Sequence, residues 1–168
     1  PFARQVRSTV ATWIGLMDPL RSHYAKHPSA KALGLKRSAF SYIHKDGACP
    51  TCKGLGKTRI PMDFFGDLWS TCETCQGLRY RPEGLACKVD GYSIGEVLQL
   101  SVAAAATHFK ALPKLQAIIS LLQEVGLGHL RLGQPCNTLA GGEAQRLQLA
   151  GTLLQEGKGQ RLFLLDEP

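Results

Sequence analysis

The pattern of apolar and polar positions predicts that the second half of the chain is mainly helical. Between Pro113 and Gly126, apolar residues recur at the spacing of one helical face. Pro113 suits the first position of that helix, and Gly126 supplies a stop. Ser93 and Glu96 have the spacing of a capping box, which indicates the start of another helix. The alanine-rich stretch 101–109 also favours helix.

Two further elements are predicted near the end of the chain. A helix is expected from Gly141 to about Gln155, with Leu147, Ala150 and Leu154 on one face. The run Leu162–Leu165 is apolar without interruption, which is typical of a strand buried on both faces in a parallel sheet. This order of elements predicts an α/β fold.

The first half of the chain has weaker signals of secondary structure. Residues 1–46 are basic and show few clear elements, apart from a short helix over Arg21–Lys26 that Pro28 interrupts. Glycine and cysteine are frequent after that segment, and short strands are expected at Thr58–Met62 and Leu85–Val89. The predicted parts are therefore a basic segment (1–46), a four-cysteine module (47–91, hereafter the cysteine module) and a helical part with its final strand (92–168).

Composition and charge narrow the function classes. Of 168 residues, 44% are hydrophobic and 20% charged, which excludes disorder over the whole length. The net charge is +7, and residues 1–60 carry eleven Lys and Arg against only Asp18 and Asp46. This excess favours a polyanion such as nucleic acid as a partner. The alternative is a solvated surface whose acidic partner lies elsewhere.

The ends of the chain and its longest apolar runs add two expectations. No stretch reaches 18 consecutive apolar residues, so no transmembrane helix is predicted. The chain begins at Pro1 without a signal-peptide pattern and stops at Pro168, directly after an apolar run and two acids. We expect it to be a piece of a longer protein.

The strongest local motif is a pair of Cys-x-x-Cys sequences separated by 19 residues, each continued by x-Gly. Four thiolates at this spacing close a tetrahedral zinc site with no open coordination position, which indicates a structural role. A redox-active pair or an iron site is the alternative. Cys87 and Cys136 stand apart and are expected to be core residues. The predicted ligands are Cys49, Cys52, Cys72 and Cys75.

Two weaker patterns point to phosphate chemistry. At the end of the predicted strand Leu162–Leu165, Asp166 is suited to hold Mg²⁺ and Glu167 to orient or deprotonate water. Paired glycines within Leu139–Arg146 open a helix, whose N-terminus favours anions. An ordinary strand end and an ordinary glycine-rich helix cap are the respective alternatives.

The order of these motifs resembles that of the ATP-binding-cassette (ABC) ATPases, with a signature motif at Leu139–Glu143 and a Walker B motif at Leu162–Glu167. With the cysteine module ahead of the signature, the chain resembles the C-terminal ATPase half of the UvrA family. The segments that carry this resemblance, in family order, are Arg7–Trp13, Cys72–Tyr80, Val125–Gly128, Leu132–Gln134 and Gly141–Arg146.

The resemblance implies an α/β ABC-type ATPase domain with an inserted zinc module. It also implies a cytoplasmic, dimeric ATPase that binds double-stranded DNA in nucleotide excision repair and passes damaged sites to UvrB. The ligands it implies are Zn²⁺, held by the four cysteines, and ATP with Mg²⁺. Gly141, Gly142 and Glu143 would reach a nucleotide on the opposing half, Asp166 would serve Mg²⁺, and Glu167 would be the catalytic carboxylate.

The chain also departs from the family. The phosphate-binding Gly-x-x-x-x-Gly-Lys-Ser/Thr loop, which lies upstream in the family, is absent, so the chain alone is expected not to hydrolyse ATP. Ala140 stands where the family usually has a serine whose hydroxyl bonds the γ-phosphate. Such departures leave open a UvrA-like paralogue, linked to drug tolerance in some cases rather than to general repair.

Within this interpretation, basic side chains of the first third are the candidate DNA contacts, chiefly to phosphate. Two other function classes remain as alternatives. A zinc-ribbon protein-binding module, as in DnaJ-type chaperones, would carry four Cys-x-x-Cys-x-Gly repeats rather than two. An ABC ATPase of membrane transport would lack the cysteine insertion. The candidate DNA contacts are Arg4, Arg7, Lys36, Arg37, Lys53 and Lys57.

Overall fold

The computed structural model describes residues 7–61 and 67–154. Within these ranges the chain is largely helical, and its strands form two antiparallel hairpins, β1–β2 and β3–β4. No described helix has the length and apolar character needed to span a bilayer. In chain order, the elements are α1 (Val10–Trp13), α2 (Met17–Lys26), α3 (Pro28–Ala32), β1 (Lys57–Ile60), β2 (Leu68–Thr71), α4 (Pro82–Ala86), β3 (Lys88–Val89), β4 (Tyr92–Ser93), α5 (Ile94–Val97), α6 (Val102–His108), α7 (Pro113–Glu124) and α8 (Gly141–Leu154).

One apolar core joins the N-terminal helices to the helices of the second half. Leu20, Leu98, Ile119 and Leu147, from α2 and from the later helical region, belong to this single cluster of buried side chains. Val10 extends the connection through the backbone: its amide donates to the Gln134 carbonyl oxygen at 3.0 Å. The loop before α8 is therefore fixed against the beginning of the described chain.

The first 46 residues are more helical than the sequence predicts. Thr9 forms a capping box with Thr12 and begins α1. The predicted helix over Arg21–Lys26 is real but begins earlier, at Met17, and buries one face in the core. Pro28 ends it as expected and is also the first residue of α3, a position where proline fits because no intrahelical amide bond is lost.

The helices predicted for the second half are confirmed. Ser93 and Glu96 form the reciprocal capping box, with bonds of 3.3 Å and 2.7 Å. Pro113 is the first residue of α7, and Gly126 follows that helix with a φ of 76°. On α8, Leu147 and Ala150 are buried as predicted, whereas Leu154 remains 37% exposed.

The strand predictions are confirmed only in part. The predicted strand Thr58–Met62 corresponds to β1, which starts one residue earlier, at Lys57, and ends at Ile60. Met62 lies outside the described residues. The strand predicted at Leu85–Val89 is wrong over its first half, where Leu85 and Ala86 complete α4. Pro82 at the start of α4 fixes a helical φ there. The predicted strand Leu162–Leu165 lies outside the described residues.

Candidate metal centre and the start of the signature helix

The four predicted cysteines meet at one point in the structure. Their Sγ atoms all lie within 4.8 Å of one another, and all four residues are buried. Cys49 lies 3.9 Å from Cys72, and Cys52 lies 3.6 Å from Cys75, measured between Sγ atoms. The antiparallel pairing of β1 with β2, which lie between the two Cys-x-x-Cys knuckles in the sequence, brings the knuckles together.

This geometry fits a tetrahedral zinc ion. With Zn–S bonds of about 2.3 Å, tetrahedral geometry requires sulfur atoms about 3.8 Å apart, close to the two separations observed. The backbone amides of Gly56 and Arg79 donate to the Sγ atoms of Cys52 and Cys75 at 3.2 Å and 3.4 Å. Such donors stabilise thiolates, the ionised form that binds metal.

The thiol pKa values show why a cation suits this cluster. Burial raises the pKa of Cys75 to about 12. For Cys72, burial also acts to raise the pKa, but hydrogen bonds, led by the backbone amide of Cys75, outweigh it and lower the pKa to about 7. Without a cation, ionisation of the Cys72 thiol disfavours ionisation of the neighbouring Cys75 thiol. A divalent cation removes that conflict because all four sulfurs can then be thiolates.

The two knuckles repeat one backbone geometry. Lys53 and Gln76, each directly after the second cysteine, both have a φ of 50°, in the left-handed region. The glycine that follows each of them also has a positive φ. At Gly54 a side chain is excluded outright, because a Cβ would lie 1.9 Å from the Tyr42 carbonyl oxygen. The x-Gly after each Cys-x-x-Cys is thus part of the metal-site geometry.

Arg79 connects the second knuckle to the rest of the molecule. It is 6% exposed, and its guanidinium donates to the carbonyl oxygens of Gly54 and Gly133, both at 3.2 Å. The same guanidinium lies 5.4 Å from the centre of the Tyr42 ring, a cation–π distance. Gly133 approaches Leu98 so closely that a Cβ would lie 2.8 Å from its carbonyl oxygen. Arg79 therefore ties the cysteine module to the loop that leads into α8.

This role of Arg79 is not predicted by the sequence pattern. Its position in the second knuckle matches that of Gly56 in the first, and the two have φ values of 74° and 73°. A bulky residue where the repeat uses glycine is a signal that the two halves differ in function. Which carbonyl oxygens the guanidinium binds depends on long-range packing, and no local sequence pattern encodes that packing.

The start of α8 carries the predicted signature residues. The Ala140 carbonyl oxygen accepts the first bond of the helix, from the Ala144 amide at 2.9 Å, so Ala140 is the N-cap. Glu143, three residues later, accepts from the Ala140 amide at 2.9 Å. This is half of a capping box, because alanine has no hydroxyl to accept the Glu143 amide. A Cβ added to Gly141 or Gly142 would meet no atom within 4 Å, which shows an open surface there.

Glu143 has a second partner that the sequence did not predict. Its other carboxylate oxygen lies 2.8 Å from Nε2 of His129. The bond with His129, and then the Ala140 amide, lower the pKa of Glu143. The carboxylate therefore holds the N-terminal turn of α8 against the loop after α7.

The candidate DNA contacts are spread over two regions. Arg7, Lys36 and Arg37 are exposed, and Arg37 forms an ion pair with Asp18 at 3.0 Å. Lys53 and Lys57 are exposed in the cysteine module. Arg4, Asp166 and Glu167 lie outside the described residues. Cys87 and Cys136 are buried in the main core and do not join the cysteine cluster, as expected.

Comparison with known proteins identifies the family, although no family model matches the chain. Over all 168 residues the chain is 42% identical to the UvrABC system protein A of Oceanobacillus iheyensis, of Helicobacter pylori (strain 26695) and of Bacillus subtilis (strain 168). It spans 18% of the length of these curated relatives. The crystal structure of UvrA2 from Deinococcus radiodurans superposes with a TM-score of 0.86 at 39% identity, covering 92% of this chain and 19% of that one. The chain belongs to the UvrA family.

Proposed function

We propose that this chain is part of a UvrA-type subunit that recognises DNA damage in nucleotide excision repair and uses ATP to do so. The observation that carries the proposal is the 42% identity over every residue of the chain to curated UvrABC system A proteins. The proposal includes double-stranded DNA and a UvrB-type protein as partners, a homodimeric assembly and a cytoplasmic location. It also includes the division into parts 1–46, 47–91 and 92–168.

In this proposal the cysteine cluster binds Zn²⁺ and has a structural role. The ion supplies a closed cross-link between the two knuckles, whose small apolar cluster consists, among the described residues, of the four cysteines with Leu55 packed against them. Once cross-linked, the module holds Arg79 against the Gly133 carbonyl. A conformational change at the surface of the module can then be transmitted through Arg79 to the loop before α8.

The proposed nucleotide-facing residues lie at the start of α8 and beyond the described chain. Gly141, Gly142 and Glu143 would face the phosphates of a nucleotide held by the opposing ATPase half, with Ala140 at the N-cap. The open space around the two glycines supports close approach of a ligand. Asp166 would hold the Mg²⁺ that accompanies ATP, and Glu167 would activate the attacking water.

The proposed DNA contacts are cations that reach phosphate. Arg4, Lys36 and Arg37 belong to the basic N-terminal part, together with Arg7. Lys53 and Lys57 project from the cysteine module. Since phosphate contacts carry no direct sequence information, a surface of this kind suits a protein that reads distortion in any sequence.

ATP turnover by the intact protein tests the enzymatic part of the proposal. Glu167→Gln should abolish steady-state hydrolysis while nucleotide binding is retained, because the variant keeps the shape of the side chain and loses its basicity. Glu124→Gln, at the exposed end of α7, is the matched control and should hydrolyse ATP at the unsubstituted rate. Unchanged turnover in Glu167→Gln would overturn the assignment of Glu167.

A second candidate is a UvrA-like paralogue with a task other than general repair. Ala140 favours it, since the serine hydroxyl usual in the family would donate a bond to the γ-phosphate, worth about 1.5–3 kcal/mol. A paralogue of this kind would bind DNA without preference for damaged duplexes, whereas the repair subunit would show that preference.

A further inference from the structure

A cleft of about 560 Å³ lies between the cysteine module and the loop that precedes α8. One wall comes from the hairpin and the second knuckle, through Lys57 and Arg79. The other comes from the loop after α7, through Arg131 and His129. Of the residues that line this space, Lys57 is the one already among the candidate DNA contacts.

The cleft has an uncompensated positive charge. Among residues 7–61 and 67–154, no carboxylate pairs with Lys57, Arg79 or Arg131, and no acidic side chain lines the space. His129, which also lines the cleft, is bound to the carboxylate of Glu143 at 2.8 Å. Three cations, Lys57, Arg79 and Arg131, thus face one cavity.

Part of this positive charge has a fixed position, because it is carried by the buried side chain of Arg79. Its guanidinium is buried and fixed by two carbonyl oxygens, so its position does not relax when a ligand leaves. Low-dielectric walls around a fixed cation focus positive potential into the cleft. Lys57 and Arg131 are exposed and free to close on an anion.

A second, adjoining space extends the cleft in one direction. It measures about 350 Å³, shares Lys57 and Arg79 with the first, and ends at Trp69. Trp69 is 48% exposed, and across from it in the antiparallel register of β1 and β2 lies Arg59, whose charge is shared with Asp67 at 2.6 Å. Among the described residues, the unpaired cations beside the ring are therefore Lys57 and Arg79. Cations that alternate with an exposed aromatic ring are the arrangement with which proteins hold a nucleic-acid strand: phosphate on the cations and a base on the ring.

We propose that this cleft binds the backbone of a DNA strand, with a phosphate between Lys57 and Arg131 and a base against Trp69. The inference rests on the proposed DNA-binding function and extends the contact region at Lys57 to Arg131 and Trp69. This region differs electrostatically from the one that includes Arg37, whose charge is shared with Asp18. Its position beside Arg79 places bound DNA next to the connection between the cysteine module and α8.

The phosphate of a nucleotide is the other source of the same chemistry, and the experiment separates the two. The intact, zinc-loaded protein is titrated with a fluorescein-labelled 30-base-pair duplex that carries a central unpaired stretch, whose bases are open to stacking, across a salt series. It is titrated separately with a fluorescent ATP analogue. The variants are Lys57→Gln, Arg131→Gln and Trp69→Ala. Lys110→Gln, which removes an exposed lysine outside both spaces, is the matched control.

We expect Arg131→Gln and Lys57→Gln each to lower DNA affinity and to reduce the slope of log affinity against log salt by about 0.9, the value for one lost phosphate contact. Trp69→Ala should lower affinity and leave the slope unchanged, because stacking releases no counterions. Lys110→Gln should match the unsubstituted protein. Zinc content measured on every variant verifies that the fold is retained.

Three results would overturn the inference. If the unsubstituted protein binds the duplex but all three cleft variants behave as Lys110→Gln does, the cleft is not a DNA site and the proposed function stands. If the variants lose affinity for the ATP analogue and not for DNA, the cleft serves a nucleotide instead. If the unsubstituted protein itself does not bind the duplex, the proposed function fails, and this inference fails with it.

Discussion

The guanidinium of Arg79 donates to the Gly133 carbonyl oxygen at 3.2 Å, across 54 positions of sequence. The backbone amide of the same residue donates to Sγ of Cys75 at 3.4 Å. One residue is therefore bonded both to a candidate metal ligand and to the loop that leads into α8. Arg79 thus links the cysteine module directly to the loop before the signature region.

Replacing Arg79 should uncouple these two regions. In Arg79→Ala the carbonyl oxygens of Gly54 and Gly133 lose a charged donor, and we expect the free energy of unfolding to fall by about 1.5–3 kcal/mol. Arg81→Ala is the matched control, because the Arg81 side chain bonds the Lys45 carbonyl at the exposed surface. That control should change stability by less than about 0.5 kcal/mol. Denaturant unfolding of the zinc-loaded chain makes the comparison, and equal losses in both variants would contradict the role of Arg79.

The cysteine cluster should bind one zinc ion per chain. Cys52→Ser should abolish stoichiometric zinc and lower the melting temperature, since metal binding and folding of the knuckles are linked. Cys87→Ala removes a buried cysteine outside the cluster and should retain the zinc. Elemental analysis of the purified proteins gives the metal content. Full zinc content in Cys52→Ser would show that the cluster is not the site.

Completing the capping box at the start of α8 should stabilise the protein. Ala140→Ser supplies the hydroxyl that can accept the Glu143 amide while Glu143 continues to accept the Ala140 amide. We expect a gain of about 0.5–2 kcal/mol in the free energy of unfolding. Ala104→Ser, at an exposed position inside α6, is the control and should not stabilise, because serine is no better than alanine there. A loss of stability in Ala140→Ser would contradict the assignment of Ala140 as the N-cap.

The pH dependence of the Glu143 contact has a definite sign. Because the folded chain lowers the pKa of this carboxyl from its usual 4.5, the contact stabilises fully above that pH and is lost as the pH falls through the lower folded value. His129→Ala should move the pKa of Glu143 back towards 4.5, with exposed His44→Ala as the control. Carbon-13 NMR titration of the glutamate carboxyl groups measures this. An unchanged pKa in His129→Ala would show that the histidine is not the principal partner.

Sequence predicted the parts of this structure that depend on local spacing. Each Cys-x-x-Cys-x-Gly motif confines its two sulfurs to one turn. The pairing of β1 with β2 then brings the two turns together, and the four sulfurs form one cluster. The Ser93–Glu96 capping box, the start of α7 at Pro113 and its stop at Gly126 are also local rules, and the structure confirms them.

Features decided by tertiary packing were not predictable in the same way. α1 depends on Thr9, whose hydroxyl also bonds Tyr42 at 3.0 Å, a partner 33 residues away. The strand expected at Leu85–Val89 gave way to α4 because Pro82 favours a helical start. The destination of Arg79 and the pairing of His129 with Glu143 are contacts between loops, and no periodicity signals them.

Binding of the intact protein to damaged and undamaged duplexes, followed by fluorescence anisotropy with and without ATP across a salt series, tests the central claim most directly. The account predicts tighter binding to the damaged duplex, a difference that shifts when ATP is added, and a steep dependence on salt from the phosphate contacts. Salt-dependent binding without preference for damage would contradict the repair assignment and favour a paralogue. Absence of binding at every salt concentration would contradict the DNA-binding account as a whole.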